Sequence, residues 1–315
     1  MDLHKAQIKL SIVVSVYNEE QTITLLYNEL KKVLNVIEIN HEIIFVNDGS
    51  NDNSLNILSD LLQRDPQITV VSLSRNFGHE AAMIAGIDYS SGDAVICMDA
   101  DLQHPPSKIK EMLDKNLEGY EIINMIRTEN INIGIFKKIS SKLFYYFLNK
   151  ISPTEFVPNA SDFFLISARV ANILKTEYRE RIRFLRGIIQ VIGFKRTTIK
   201  FLAPVRAGGV SKYSFTKLLE LSFSAISTFS NLPLRLGIIV GTIIGLLSLI
   251  VGIFSIIMKI MGRVPPGYTT IVVLVSFLFA VQLFVIGIIG EYLSHIFDES
   301  KKRPIYLTDK IISYK

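Results

Sequence analysis

An acidic segment follows a short apolar run near the middle of the chain. The run Ala94-Val95-Ile96-Cys97-Met98 leads into Asp99-Ala100-Asp101-Leu102-Gln103. Strand alternation would direct Asp99 and Asp101 to the same side, where two carboxylates suit Mg²⁺ or Mn²⁺. Gln103 adds a neutral oxygen ligand at the same spacing. Such a cation would neutralise the charge on a departing diphosphate. An Asp pair is weak evidence alone, but its place after a fourth strand favours this function.

Two further polar segments follow apolar runs earlier in the chain. Tyr17-Asn18-Glu19-Glu20 comes after the first run, and Asn47-Asp48-Gly49-Ser50 comes after the second. An acidic side chain at such a strand end can accept hydrogen bonds from a nucleobase or a ribose. Ordinary turn chemistry is the alternative, because Asn, Asp, Gly and Ser all favour turns. Taken alone, these segments fit plain turns better.

Basic residues supply a complementary chemistry. Arg127 follows a fifth apolar run, and Arg206-Ala207-Gly208-Gly209-Val210-Ser211-Lys212-Tyr213 precedes the most apolar part of the chain. Glycines flanked by Arg206, Ser211 and Lys212 predict a flexible loop that can bind a phosphate. The alternative is a solvated loop, or one that faces lipid headgroups. Phosphate binding at a membrane surface is what a lipid phosphate substrate would require.

Short apolar runs alternate with amphipathic helical stretches through the first half of the chain. This pattern predicts a parallel sheet covered by helices on both faces, as in nucleotide-binding α/β folds. Ligands of such sheets lie beyond the carboxyl ends of the strands, where the polar segments fall. The predicted strands are Leu10–Val16, Glu42–Asn47, Ile68–Leu73, Asp93–Met98, Glu121–Ile126 and Asp162–Ile166. The predicted helices are Glu19–Val36, Ser54–Arg64, His79–Tyr89, Phe136–Asn149 and Arg169–Lys175.

The apolar residues are concentrated after residue 231. Residues 236–258 and 264–290 carry no charge, and about 20 apolar residues span a bilayer core. We therefore expect two transmembrane helices, at about 236–258 and 267–290, joined as a hairpin. The alternative is a pair of buried helices in a large soluble fold. Apolar residues at helical spacing over 214–231 predict an amphipathic helix in the membrane interface, or else an ordinary core-facing helix.

A hairpin places both ends of the chain on one side of the membrane. The basic residues Lys301, Lys302, Arg303 and Lys310 outnumber those of the linker between the spans, which places both termini in the cytoplasm. The N-terminus has no apolar signal core, which agrees with this orientation. The expected domains are a cytoplasmic α/β domain over 1–213, the interfacial helix over 214–231, the two spans within 232–290 and a cytoplasmic tail over 291–315.

The charge balance and the cysteine content restrict the partners. Lys and Arg number 34 against 29 Asp and Glu, which gives a net charge of +5. This excess suits an anionic membrane surface or a phosphate-bearing substrate. Nucleic acid is not expected, because the sequence has neither a dense Lys/Arg run nor an aromatic and basic platform. The single Cys97 excludes an internal disulfide and fits a reducing compartment.

The motifs follow one another in a specific order. They are Tyr17-Asn18-Glu19, Asn47-Asp48-Gly49-Ser50, Arg75-Asn76-Phe77-Gly78, the segment from Asp99 to Pro106, and Arg206-x-x-Gly209-x-Ser211-Lys212-Tyr213. This order closely resembles the polyprenyl-phosphate glycosyltransferases of glycosyltransferase family 2, which include dolichol-phosphate mannose synthases and bactoprenol glucosyltransferases. The resemblance covers nearly the whole chain, because the expected membrane hairpin and Glu291-Tyr292 are part of it.

The resemblance implies a GT-A (Rossmann-like) fold and the inverting transfer of a sugar from a nucleotide sugar to polyprenyl phosphate. Asp162 matches an Asp-Phe-x-Leu element near the sugar. The family usually has Gly before this Asp and Arg after the Phe, whereas this chain has Ser161 and Phe164, so the sugar stays undetermined.

The implied catalytic residues are Asp101, Asp162, Arg206 and Lys212. The implied nucleotide-sugar contacts are Tyr17, Glu19, Asp48, Asp99, Ala100 and Arg127. The implied acceptor-phosphate contacts are Arg206, Ser211 and Lys212, and the implied Mg²⁺ or Mn²⁺ ligands are Asp99, Asp101 and Gln103.

The implied acceptor is already a nucleophile. A lipid monophosphate has a second pKa of about 6 and is largely dianionic at neutral pH. It needs no strong general base, so we expect Asp162 to accept or orient a sugar hydroxyl. The likeness favours UDP-glucose or a UDP-N-acetylhexosamine as donor and undecaprenyl phosphate as acceptor, for cell-envelope glycans at the plasma (inner) membrane. A homo-oligomer is possible.

Two other functions would use part of the same set of motifs. A processive polysaccharide synthase would require a Gln-x-x-Arg-Trp motif, and this chain has no Trp. It would also need more than two spans to form a polymer channel. A membrane-anchored nucleotide-sugar sensor or scaffold without turnover is the remaining alternative, although a binding module need not retain both the acidic and the basic motifs.

Overall fold

The centre of the sheet is strand β1 (Lys9–Val16), in which every residue after Lys9 is buried. This continuous apolar run is typical of a strand covered on both faces. The structure is a computed structural model. This structure describes residues 8–128, 157, 160–180, 185–202, 204, a set of positions between 237 and 261, and 267–314.

Eight strands of the described residues form one sheet in the order β7-β5-β6-β4-β1-β2-β3-β8. Strands β1 to β4 are parallel to one another, and β5 is parallel to β7. Strand β6 lies antiparallel between β4 and β5, and β8 is antiparallel to β3. The remaining strands are β2 (Asn40–Asn47), β3 (Ile68–Leu73), β4 (Ala94–Asp99), β5 (Ile122–Thr128), β6 (Ala160–Ser167), β7 (Arg196–Leu202) and β8 (Thr308–Ser313). The expected parallel sheet is therefore confirmed for β1 to β4, whereas β6 and β8 make the whole sheet mixed.

Helices cover both faces of this sheet. Helices α1 (Ile23–Ile37), α2 (Ser54–Arg64) and α4 (Ile109–Leu117) contribute apolar side chains to the core that includes Ile12 and Val14 of β1. Helix α3 (His79–Tyr89) lies on the other face, where a side chain at Gly86 would collide with Val13. The absence of a side chain at Gly86 thus lets α3 approach β1 closely, which fixes the position of its first residue. Helices α5 (Ala168–Thr176) and α6 (Leu185–Val191) follow β6.

The periodicity of the sequence predicted most of these elements. The strand Ile68–Leu73 and the helices Ser54–Arg64 and His79–Tyr89 are confirmed at their predicted bounds. The other predicted strands are confirmed within about two residues at each end. Helix α1 starts at Ile23 rather than at Glu19, because the preceding residues form turns. Among the described residues, two α-helices and two strands were not predicted: α4, α6, β7 and β8. The predicted helix over 136–149 lies outside the described residues.

The chain divides into two compact units. One comprises Met1–Tyr213 together with Arg303–Lys315, and the other comprises Ser214–Lys302. The second unit contains helix α7 (Tyr268–Ser300), which extends beyond the expected end of a span at residue 290. Among the described residues, the stretch Phe277–Ser300 is long and apolar enough to cross a membrane, with a mean hydropathy of 1.9. The described positions between 237 and 260 are helical.

The end of the chain belongs to the sheet of the first unit. Strand β8 extends the edge of β3, and the backbone N–H of Ser74 donates to the carbonyl of Leu307 across 2.9 Å. The hydroxyl of Tyr306 donates to Asp88 Oδ2 across 2.7 Å, and Arg179 holds both oxygens of the same carboxylate. The segment expected to be a tail is therefore partly a structural element of the α/β unit.

Candidate active site

The carboxyl ends of β1, β2 and β4 meet at one edge of the sheet. Tyr17 follows β1, Asp48 follows β2, and Asp99 ends β4. The parallel register pairs Val16 with Asn47 and Ser15 with Asp99, so the sequence segments that follow these strands lie side by side. The structure therefore brings these predicted site residues to one edge.

The loops after β1 and β2 are joined by hydrogen bonds. The backbone N–H of Asn18 donates to Ser50 Oγ across 3.0 Å, and that of Asn51 donates to Asn18 Oδ1 across 2.9 Å. The backbone N–H of Glu19 donates to Ser54 Oγ across 3.0 Å. Asn18 has a φ of 54°, a left-handed conformation that Asn tolerates better than most residues. Tyr17 and Glu19 are thus held beside the loop that carries Asp48.

Asp48 fixes the loop that follows β3. Its buried carboxylate accepts from the backbone N–H groups of Phe77 at 2.7 Å and Gly78 at 3.0 Å. The next residue, Gly49, has a φ of +64°, and a Cβ there would lie 2.5 Å from the carbonyl carbon of Arg75. The Asn47–Ser50 segment is therefore more than a plain turn, because Asp48 holds the Arg75–Gly78 loop in place.

The acidic segment after β4 is a tight turn. The backbone N–H of Asp99 donates to His104 Nδ1 across 3.0 Å, and the His104 ring stacks on Phe163 with a centroid separation of 5.1 Å. Leu102 has a φ of 63°, and the backbone N–H of Gln103 donates to Asp101 Oδ1 across 3.0 Å. A left-handed conformation is costly for a branched side chain and is often found at functional sites. His104 therefore supports the turn from behind, between Phe163 and the backbone of Asp99.

Arg127 and Gln103 are in direct contact. Arg127 Nη1, near the end of β5, donates to Gln103 Oε1 across 3.0 Å. From the sequence, Arg127 is expected to contact the nucleotide sugar and Gln103 to bind a metal. The structure joins them, so Arg127 orients the amide oxygen of Gln103.

Asp162 lies beside Asp99 because of the antiparallel pairing of β4 and β6. Cys97 is opposite Phe164, which places Asp162 near the carboxyl end of β4. Arg186 of α6 holds Asp162, with its Nε 2.9 Å from Asp162 Oδ1. Burial alone would raise the pKa of Asp162, but Arg186 and His79 outweigh burial and hold this pKa well below its usual range.

Three residues of this cluster were not predicted: Ser15, His79 and Arg186. His79 Nδ1 is 3.0 Å from Ser15 Oγ, and its Nε2 is 3.3 Å from Asp99 Oδ1. Burial would lower the pKa of His79, but the charges of Asp99 and Asp162 outweigh it and raise this pKa to about 10. His79 directly follows the Arg75–Gly78 motif, which is the one sequence signal that could have identified it.

The neighbouring Glu80 is also perturbed. Burial and the negative charge of Asp162 raise the pKa of Glu80 to about 7, although Arg186 acts in the opposite direction. Two carboxylates close to one guanidinium cannot both ionise without cost, and Asp162 is the one that keeps its charge.

The chemistry of the donor set fits a hard divalent cation. Asp99, Asp101 and Gln103 supply carboxylate and amide oxygens, which are the ligands that Mg²⁺ and Mn²⁺ prefer. Ala100, between the two carboxylates, is buried. Within the described ranges, no group of three His, Cys, Asp or Glu side chains could hold a metal ion. A site here would therefore include the Gln103 amide or atoms of a ligand. Arg206, Ser211 and Lys212 lie outside the described residues.

Known glycosyltransferases are similar to this chain over most of its length. The family model for glycosyl transferase family 2 matches residues 11–173. An uncharacterised glycosyltransferase of Synechocystis sp. is 41% identical over 96% of this chain and 96% of its own length. A bactoprenol glucosyl transferase of Shigella phage SfV is 36% identical over 95% of this chain and 97% of its own length.

A solved structure shares the fold. The glucosyl-3-phosphoglycerate synthase of Mycobacterium tuberculosis, in complex with Mn²⁺, UDP-glucose and phosphoglyceric acid, superposes with a TM-score of 0.51 at 17% identity. The match covers 72% of this chain and 80% of that one. At this identity the likeness supports the GT-A fold alone. From the family model and the near full-length relatives, the chain is a glycosyltransferase and belongs to glycosyl transferase family 2.

Proposed function

We propose that this enzyme transfers a sugar, with inversion, from a nucleotide sugar to polyprenyl phosphate at the cytoplasmic face of the plasma membrane. The observation that carries the proposal is the likeness to bactoprenol glucosyl transferases over nearly the whole of both chains. UDP-glucose or a UDP-N-acetylhexosamine is the proposed donor and undecaprenyl phosphate the proposed acceptor. The product would be a lipid-linked monosaccharide for cell-envelope glycans.

The donor would bind at the edge of the sheet where β1, β2 and β4 end. We assign the nucleoside to Asp48, Tyr17 and Glu19, because their loops are joined there. Asp99, Asp101 and Gln103 would hold Mg²⁺ or Mn²⁺, which would supply positive charge to the diphosphate as it leaves. Arg127 orients Gln103 and adds a positive charge on the same side.

Asp162 is assigned to the sugar. It lies beside Asp99, and Arg186 keeps it ionised, so it can accept a hydrogen bond from a sugar hydroxyl. A group whose pKa is held this low is a weak base at neutral pH. This agrees with an acceptor that is already dianionic and that needs no proton removed. Catalysis would then consist of aligning the two phosphates and stabilising the leaving diphosphate.

The acceptor phosphate is assigned to Arg206, Ser211 and Lys212. The sequence places these residues just before the apolar part of the chain, where a phosphate at headgroup depth would lie. In α7, the large apolar side chains of Phe277, Leu283 and Phe284 are more than half exposed, as expected for side chains that face lipid. We propose a two-helix hairpin with both termini in the cytoplasm.

The experiment uses membranes that contain the full chain, undecaprenyl phosphate and a panel of radiolabelled nucleotide sugars. We expect label from one sugar to enter the organic extract only when both the lipid phosphate and a divalent metal are present. Release of the nucleoside diphosphate should show the same double requirement. Binding of a nucleotide sugar without any transfer under these conditions would favour the sensor or scaffold instead.

A further inference from the structure

His79 is the first residue of α3, and the backbone before it determines where its ring lies. Gly78 has a φ of +98°, a conformation that side chains rarely adopt, although a Cβ there would meet no atom within 4 Å. Asp48 fixes the Gly78 N–H, and the close approach of Gly86 to Val13 fixes α3 against β1. The ring therefore projects among strands β1, β4 and β6 from a well-supported helix start.

The ring contacts residues of all three strands. Its Nδ1 is 3.0 Å from Ser15 Oγ, and this hydroxyl is in turn 3.1 Å from Asp99 Oδ1. Its Nε2 is 3.3 Å from Asp99 Oδ1 and 3.6 Å from Asp162 Oδ2. The Nε2 atom is buried and makes no hydrogen bond of ordinary geometry within the part of the chain that the structure describes, while 35% of the side chain is exposed.

This arrangement separates two like charges. The antiparallel register brings Asp99 and Asp162 next to each other, and two adjacent carboxylates on paired strands repel. An N–H group directed between them can attract both and so fix the distance between them. Arg186 holds the other oxygen of Asp162, and Ser15 holds Asp99, so the imidazole completes a chain of contacts across the site.

We propose that His79 is a positioning residue for sugar transfer, which sets the separation of Asp99 from Asp162. This assignment depends on the proposed function, in which Asp99 faces the metal and diphosphate and Asp162 faces the sugar. With the separation fixed, the two ends of the donor are aligned before the acceptor phosphate arrives. A residue behind a metal ligand typically changes metal affinity or activity by about 10- to 100-fold when it is removed.

The test compares His79→Ala with His79→Gln in the full chain, purified in detergent. The amide nitrogen of Gln lies close to the position of Nε2, so this variant keeps an N–H donor. We expect His79→Ala to lower kcat and to weaken Mn²⁺ binding in the presence of UDP, measured by calorimetry, each by about 10- to 100-fold. The KM for the nucleotide sugar should change far less, and His79→Gln should recover most of both losses.

His41→Ala is the matched control. His41 is a buried histidine in β2, with its Nδ1 2.9 Å from the carbonyl of Ile39, away from the strand ends that form the site. Its removal should lower the melting temperature without a change in Mn²⁺ affinity or kcat. Equal losses in His41→Ala and His79→Ala would overturn the assignment, as would a His79→Ala variant that keeps wild-type Mn²⁺ affinity.

The calorimetry also separates this assignment from the proposed function. A wild-type chain that binds Mn²⁺ with UDP but transfers no sugar to polyprenyl phosphate would refute the proposed acceptor. Weaker Mn²⁺ binding by His79→Ala would in that case still support the positioning of Asp99 by His79. Full transfer by the wild type, together with unchanged Mn²⁺ binding and kcat in His79→Ala, would refute the role of His79 but not the proposed function.

Discussion

Arg127 Nη1 donates a hydrogen bond to Gln103 Oε1 across 3.0 Å, and so links the end of β5 to the acidic turn after β4. If Arg127 acts through Gln103, removing either residue should remove the same interaction. We expect Arg127→Ala to weaken Mn²⁺ binding by roughly tenfold, the lower end for a residue behind a ligand. Gln103→Ala removes the ligand itself and should weaken Mn²⁺ binding at least as much. The double variant should lose little more than the worse single variant. Strictly additive losses in calorimetry would instead indicate separate roles.

Asp101→Asn should abolish most of the transferase activity while leaving the fold intact. The substitution removes a charged oxygen ligand from the proposed metal site but keeps the volume and one carbonyl oxygen. Asp101 is only partly buried, so little packing depends on it. We expect an unchanged melting temperature and a large fall in kcat. Chelation should lower kcat of the wild-type chain in the same way, and added Mg²⁺ or Mn²⁺ should restore it. Full turnover in a chelator would rule out the metal.

Gly49→Ala should damage the site more than Gly119→Ala does. Both glycines have positive φ, of +64° and +85°, so both variants incur a strain of about 1–2 kcal/mol. Only at Gly49 would the new Cβ lie within 3 Å of the backbone of Arg75 and Asn76. The Arg75–Gly78 loop must then shift away from Asp48. We expect Gly49→Ala to weaken nucleotide binding, whereas Gly119→Ala should lower stability alone. Equal nucleotide affinities in the two variants would contradict this account.

The sequence predicted which strand ends would meet, because the order of motifs and the apolar runs determine the parallel half of the sheet. It did not predict that β6 lies antiparallel between β4 and β5, which is the pairing that brings Asp162 to Asp99. The direction of a strand depends on its packing against distant segments. It does not change the hydrophobic periodicity of the sequence, so it cannot be predicted from that periodicity. Arg186 was missed for the same reason, since its helix contacts Asp162 only through the tertiary fold.

The short edge strand β8 was also missed. Its residues Thr308–Ser313 mix charged, polar and apolar types and lie beyond an apolar helix, so composition favoured a tail. The pairing with β3 provides their backbone hydrogen bonds, and this long-range contact cannot be inferred from local propensity.

Glu80→Gln should stabilise the protein in a pH-dependent way. The pKa of Glu80 is raised to about 7 in the folded state, from 4.5 when it is unperturbed. Below pH 4.5 the group is protonated in both states and contributes nothing. As the pH rises toward 7, ionisation favours the unfolded chain, so the wild type loses stability. We expect the variant to gain about 2 kcal/mol at pH 8, after allowance for partial exposure, and almost nothing at pH 4. Melting curves at the two pH values measure this gain, and an equal gain at both would refute the assigned cause.

The last prediction concerns the contact between the end of the chain and the α/β unit. Tyr306 donates to Asp88 across 2.7 Å, and the same carboxylate is held by Arg179 at 2.8 and 3.0 Å. Burial and the charge of Asp88 raise the pKa of Tyr306, so its hydroxyl remains a donor at neutral pH. Tyr306→Phe removes one hydrogen bond to a charged group and should cost about 1.5–3 kcal/mol of stability.

Tyr314→Phe is the matched control for this change, because Tyr314 lies just after β8 and is 60% exposed. An exposed substitution of this kind should change stability by less than about 0.5 kcal/mol. In a domain of about 200 residues, each kcal/mol corresponds to a shift in Tm of about 2–4 °C. The difference between the two variants is therefore measurable by thermal unfolding of the full chain in detergent. If Tyr306→Phe unfolds at the same temperature as Tyr314→Phe, the Tyr306–Asp88 bond does not hold the end of the chain to the sheet. In that case the backbone pairing of β8 with β3 must do so.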